Sequence, residues 1–312
     1  MTLKDMFKCQ RDFNKLFFDS NKLTDLEKEE VTKSLTLALH SEVSDLISAI
    51  NFKDHRQSRS QIDKEKILYE SIDVFRYLTA ILNLWDVNAD QFTSAFADKD
   101  LFLHSRHQME TVKWSGQPVL IFDLDDVICE FRETFICWLK TTYDIDADIN
   151  STEYYTTVEV KDAGLNPETV FEEFVANRQL QNITPNIEII NAVNKLYDEG
   201  YWIQILTARP DRSLVCKYDT FRWLKKSGLK YHRVDFSPEK YRWLTKSDYY
   251  SSEKIVCAID DSAKHTAEYA KHGIKTCSPS KSYNTELTNL ENVLMYKNAK
   301  ELIDCIKNIY LS

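Results

Sequence analysis

All five glycines and all six prolines of this 312-residue chain lie after Ser115. Tight hairpin turns depend on residues that tolerate positive φ or arrive with φ already fixed, so a stretch of 115 residues with neither glycine nor proline has few ways to build a strand-rich fold. Helix is what remains, and the apolar spacing agrees. Leu35, Leu39, Val43, Leu46 and Ile50 recur at threes and fours, as do Ile67, Val74, Leu78, Ile81 and Leu82. The pattern predicts an all-α bundle over residues 1–112, with Asn21 to Glu30 and His55 to Asp63 as polar breaks. Residues 113–118, Lys-Trp-Ser-Gly-Gln-Pro, carry the first glycine and the first proline and read as a linker to a second domain over 119–312.

That second domain opens with Val119 to Asp123, an unbroken apolar run ending in acid, directly after Pro118. Continuous rather than alternating hydrophobicity marks a strand covered on both faces, the habit of parallel sheets. Trp202 to Leu206 repeats the pattern and ends in Thr207-Ala208-Arg209-Pro210; Ile255 to Ile259 repeats it again and ends in Asp260-Asp261-Ser262. A parallel sheet gathers the carboxyl ends of its strands along one edge, where open α/β folds place their chemistry. Helical stretches over Phe131 to Lys140, Asn186 to Glu199, Asp219 to Lys226 and Ala263 to His272 supply the crossovers. The fold class is therefore an all-α bundle followed by a doubly wound, Rossmann-like α/β domain. Residues 130–183 form a small helical cap, with a helix begun by Asn166-Pro167-Glu168 and with Tyr154 and Tyr155 either stacking on a base or packing the cap itself. A tail helix spans Ala299 to Tyr310.

Composition narrows the function. Hydrophobic residues at 43% and charged residues at 29% are ordinary for globular domains, and a net charge of -9 argues against a long nucleic-acid or anionic-membrane footprint. A small anionic substrate accompanied by a metal remains compatible. Seven scattered cysteines without a Cys-x-x-Cys pair suggest reduced thiols and a cytoplasmic protein, not a disulfide framework or a zinc site. The first residues lack the apolar core of a signal peptide, and no window resembles a membrane span. None of the histidines shows ligand spacing, so they read as surface or core residues.

In the helical region Glu42 and Asp45 stand three apart on one helix, and Glu70 and Asp73 repeat the arrangement on another. Residues three apart share a face, so two antiparallel helices can aim all four carboxylates at one point, where oxygen donors ask for a hard divalent cation such as magnesium. Together with Gln10, Asn14, Phe52-Lys53, Lys99 and Arg106, these pairs resemble the all-α dimeric dUTPases, relatives of the MazG-type nucleoside triphosphate pyrophosphatases. That resemblance implies that Glu42, Asp45, Glu70 and Asp73 hold magnesium, with Glu42 among the catalytic carboxylates. It also implies that Gln10 and Asn14 face base and sugar, that Lys53, Lys99 and Arg106 contact the substrate, and that the chain is a homodimer through this domain.

The motifs over 119–283 resemble the haloacid-dehalogenase superfamily of phosphohydrolases, of the 5'-nucleotidase type. Carried over, Asp123 is the nucleophile and Asp125 the acid and base. Asp123, Asp125 and Asp260 are the carboxylates offered to magnesium, with Asp261 supporting that site, and Thr207 and a lysine hold the phosphoryl oxygens. Lys240, 20 residues before Asp260, suits the spacing best, and Lys246 is the alternative. Asp126 stands where such phosphatases commonly carry glycine, and Arg209 either contacts phosphate or caps the following helix.

Together these readings give a bifunctional, magnesium-dependent nucleotide hydrolase of the kind a DNA virus or a salvage pathway would need. Its helical domain would cut dUTP or dCTP to the monophosphate and its α/β domain would dephosphorylate a monophosphate. The alternative is a phosphatase for polynucleotide ends or another small ester, with the helical domain serving only to dimerise.

Overall fold

The computed structural model describes residues 1–50, 62–152 and 157–311, and it divides into compact units of Met1–Ala97 and Asp98–Ser312. In the first unit, α1 (Leu3–Asn14) starts at a capping box in which Thr2 and Asp5 satisfy each other's backbone N–H groups. The same device, Thr24 with Glu27, starts α2 (Asp25–Ser48). The helix thus begins inside the expected break at Asn21 to Glu30, because the acidic run supplies a cap and a favourable first-turn charge. Asp63 caps α3 (Lys64–Leu84), and Asn88 accepts from the backbone at the start of α4 (Ala89–Thr111). Lys53, Tyr154 and Tyr155, and most of the expected break at His55 to Asp63, lie outside the described residues.

The unit boundary falls within α4, ahead of the linker at 113–118. From Asp98 onward the helix belongs to the α/β unit: Asp98 is buried and paired with Arg178 and Arg222, and Phe102 packs on Tyr218 and Phe221. No helix among the described residues is long and apolar enough to cross a membrane.

In the second unit β1 (Val119–Phe122) leads through β2 (Cys129–Glu130) into the cap helices α5 (Phe131–Tyr143), α6 (Thr157–Asp162) and α7 (Pro167–Ala176). The chain returns by β3 (Thr184–Pro185), paired antiparallel with β2, and α8 (Ile187–Asp198). Then follow β4 (Trp202–Thr207), α9 (Leu214–Ser227), β5 (Arg233–Phe236), α10 (Lys240–Lys246), β6 (Ile255–Ile259), α11 (Ala263–Lys271), β7 (Thr276–Pro279), β8 (Val293–Tyr296) and α12 (Ala299–Leu311). Among the described residues six strands form one wholly parallel sheet in the order β5-β4-β1-β6-β7-β8.

Both faces of that sheet are covered, which is why its strands show no alternation. Leu120 and Phe122 enter one apolar cluster with Ile203, Ile205, Cys257 and Ile259, while Val119 and Ile121 enter another with Trp202, Leu206 and Ala258. The cap aromatics Phe131, Phe135, Trp138 and Phe174 contact one another and are continuous with the first of these clusters. β1 lies between β4 and β6, so chain connections leave it in both directions. That is the switch point where a crevice opens at the carboxyl edge.

Candidate active site of the α/β unit and the acidic groove of the helical unit

Register places the three strand ends side by side: Phe122 pairs with Ile205 of β4 and with Ile259 of β6, so Asp123, Thr207 and Asp260 follow at one edge. The Asp123 N–H donates to the Ile259 carbonyl at 2.7 Å, holding the first acid against β6. Lys240, the first residue of α10, is buried between them, its Nζ 2.7 Å from Asp123 Oδ1 and 2.7 Å from Asp260 Oδ2. Lys246 is exposed on the last turn of the same helix, so of the two candidate lysines Lys240 is the one at the acids. Burial alone would lower the Lys240 ammonium, but the charges of Asp123 and Asp260 outweigh it and raise it above the usual lysine range.

Asp123, Asp260 and Asp261 each bring a carboxylate oxygen within 4.8 Å of the others, and all three are buried. Burial lifts Asp123 to about 6 despite Lys240; burial and then the charges of Asp123 and Asp260 hold Asp261 well above the carboxylate range. Oxygen-only donors whose charge is both buried and mutually repelled fit a hard divalent cation. The trio keeps Asp123 and Asp260 of the expected ligands and takes in the supporting Asp261 in place of Asp125, which is held elsewhere. Both of its oxygens are taken by Arg209, Nε to Oδ2 at 2.9 Å and Nη2 to Oδ1 at 2.6 Å, a bidentate pair with a buried guanidinium. Arg209 therefore neither caps α9 nor lies free for phosphate; Ser213 caps α9, and the third arm of Arg209 donates to Thr220. Thr207 is wholly buried, its hydroxyl accepting from the Arg209 N–H at 3.3 Å.

Asp126 explains its own presence. Its φ of 53° is left-handed, a conformation that glycine adopts freely and aspartate tolerates better than most residues. Unlike glycine, it also supplies a carboxylate, and Oδ1 accepts from the Arg132 N–H in the first turn of α5, whose own N-cap residue Glu130 makes no side-chain cap.

A cavity of about 410 Å³ stands over these groups, with Asp123, Asp125, Lys240 and Asp261 on its floor side and Phe131, Phe171 and Leu180 from the cap. His265 and Tyr283 line it as well. Neither was legible from spacing, since each follows its strand by a loop or helix turn that no motif marks. His265 is buried with no partner for Nδ1 among the described residues, and burial holds its pKa down at about 4.

In the helical unit Glu42, Asp45 and Glu70 bring oxygens within 4.8 Å of one another. Glu42 is half-buried and its pKa is raised, by burial first and then by the charges of Asp73, Asp45 and Glu70. Ile72, the neighbour of Asp73, is 43% exposed. A groove of about 800 Å³ has Gln10, Asn14, Glu42 and Asp73 on its walls. Gln10 and Asn14 are buried and bonded to each other at 2.9 Å, and Arg76, unmarked by any motif, donates to Gln10 Oε1 at 3.0 Å. Lys99 and Arg106 belong to the other compact unit, Lys99 over the Phe102 ring and Arg106 3.4 Å from Glu110.

No protein-family model matches the chain, and no curated protein matches it. Among solved structures it is similar to a provisionally assigned β-phosphoglucomutase from Thermotoga maritima, at 15% identity and a TM-score of 0.43 over 62% of this chain and 99% of that one. It is also similar to the provisionally assigned HAD-hydrolase YfnB from Bacillus subtilis bound to magnesium, at 15% identity and 0.45 over 61% and 99%. A provisionally assigned phosphatase from Clostridium acetobutylicum matches at 15% identity and 0.46 over 62% and 100%. At such scores these likenesses stand beside the geometry and carry none of the chemistry.

Proposed function

We propose that the α/β unit is a phosphomonoesterase that works through an aspartyl-phosphate. The observation that carries this reading is Lys240, buried and shared at 2.7 Å between Asp123 and Asp260 where β1 and β6 end beneath the cavity. Asp123 attacks phosphorus, and a carboxylate does so only when neighbouring positive charge drains the transferring group. Lys240 supplies part of that charge. A divalent cation, for which Asp123, Asp260 and Asp261 are the fitting ligands, neutralises the phosphoryl oxygens when bound. Asp125 protonates the leaving oxygen and then takes a proton from the water that releases phosphate, Arg209 keeping its carboxylate in place. Magnesium is the metal this donor set favours. A cavity of about 410 Å³ roofed by Phe131, Phe171 and Leu180 suits a mononucleotide better than a polymer.

For the helical unit we propose a nucleoside triphosphate pyrophosphatase, probing dUTP and dCTP first. Its support is the convergence of Glu42, Asp45 and Glu70 beside a groove that also presents Gln10 and Asn14. The exposed apolar residues Leu37, Leu68 and Ile72 on α2 and α3 support a homodimer through this unit. One observation favours a second reading, in which the bundle only dimerises: the sole cation on the groove wall among the described residues, Arg76, is already committed to Gln10.

Product analysis with deoxynucleoside triphosphates and magnesium separates these readings. The sequential enzyme yields nucleoside from wild type, monophosphate plus pyrophosphate from Asp123→Asn, and intact triphosphate from Glu70→Ala. Consumption of monophosphates alone by wild type would reduce the helical unit to a scaffold, and cleavage of phosphorylated DNA ends in preference to nucleotides would overturn the mononucleotide assignment.

A further inference from the structure

The loop that follows β7 touches the carboxylate cluster at one end and the cap at the other. Tyr283 Oη donates to Asp261 Oδ2 at 2.7 Å. Its neighbour Asn284, wholly buried, anchors the loop by donating to the backbone carbonyls of Asp261 and Pro279, both at 2.9 Å. On the other side the Arg132 guanidinium lies 5.1 Å from the Tyr283 ring centre, and Arg132 and Ser282 both donate to the Ser151 carbonyl of the cap, at 2.8 and 2.9 Å. The phenol is therefore set from two directions, and Asp261 has one oxygen committed to it. Its carboxylate stands in the Asp123 and Asp260 cluster.

We propose that Tyr283 is the positioning residue of the cation site: its hydroxyl fixes the Asp261 carboxylate so that the remaining oxygen is presented to a divalent cation. This rests on the cation reading given above. Partners that orient a ligand from behind it typically change metal affinity by about 10–100-fold when removed. Nothing else in the reach of Asp261 Oδ2 replaces the phenol in the described hydrogen bonds.

The test is Mn²⁺ titration followed by electron paramagnetic resonance, on the full chain carrying Glu70→Ala and Asp73→Ala so that the helical cluster does not contribute. Tyr283→Phe, which keeps the ring and its packing, is expected to weaken Mn²⁺ binding at least tenfold with an unchanged melting temperature in the metal-free state. In parallel, the apparent KM for Mg²⁺ with p-nitrophenyl phosphate should rise while kcat at saturating Mg²⁺ stays within about twofold. Asp260→Asn serves as the reference and should abolish the binding. If Asp260→Asn abolishes it and Tyr283→Phe leaves it unchanged, the positioning role is overturned and the cation site survives. If Asp260→Asn leaves Mn²⁺ binding unchanged, the cation site falls and the role of Tyr283 with it.

Discussion

At the scale of single residues the site is a set of constraints that each side chain meets in more than one way. Asp126 is the clearest case, since it must take a left-handed backbone and cap α5 at once. Asp126→Ala loses the cap and adds left-handed strain, and should cost about 2 kcal/mol in urea unfolding. Asp126→Gly loses the cap without the left-handed strain and should cost roughly half as much; equal losses would show that the backbone conformation carries no weight. His265 gives a pH signature. Its pKa is held at about 4 in the folded chain by burial first, then by the positive charges of Lys240 and Lys264, with Asp123 opposing them. Between the ordinary histidine value of 6.5 and 4 the unfolded chain therefore takes up a proton that the folded chain refuses. Stability is lost as the pH falls through that window. Asp123, raised to about 6, acts in the opposite sense there, because its folded form takes the proton first. Comparing wild type with His265→Gln by urea unfolding at pH 4.5 and 7 isolates the histidine: the variant should lose less stability on acidification. The spacing of the sequence could place Asp123, Asp260 and Lys240 at one edge. It could not reveal the pairing of Arg209 with Asp125, because 84 residues separate them and only the third dimension makes them neighbours.

At the scale of elements, what was legible is what physics writes locally. The apolar runs of β1, β4 and β6 declare strands buried on both faces, and the helices that begin at Asn166-Pro167, Asn186 and Ala299 carry their own starts. The short parallel strands β7 and β8 were not legible. Ser278 and Pro279 interrupt any apolar run in β7, and its stability comes from pairing with both neighbours. The second half of α4 was equally hidden, since it reads as bundle by period while Asp98 ties it to the α/β unit through two arginines. Breaking a buried ion pair by removing one partner costs about 3–5 kcal/mol. Arg178 and Arg222 are about a third exposed and can turn to water, so Asp98→Ala should fall at or below the low end of that range. Calorimetry should show the loss confined to one transition.

For the whole molecule, two compact units carry two acidic clusters with the same demand. Three buried carboxylates around a single lysine oppose folding at neutral pH until positive charge arrives, because each is held above its ordinary pKa. A ligand that binds only the folded state at one hundred times its Kd adds about 2.7 kcal/mol of stability. Chelation with EDTA should therefore lower the melting temperature of the α/β unit by several degrees, and Asp260→Asn should remove most of that response. The same carboxylates that would do the chemistry thus make the protein a gauge of its surroundings. If the proposed cation site holds, scarcity of divalent ions leaves the chain not merely idle but less folded, open to proteases and short-lived, and plenty of them lets it persist.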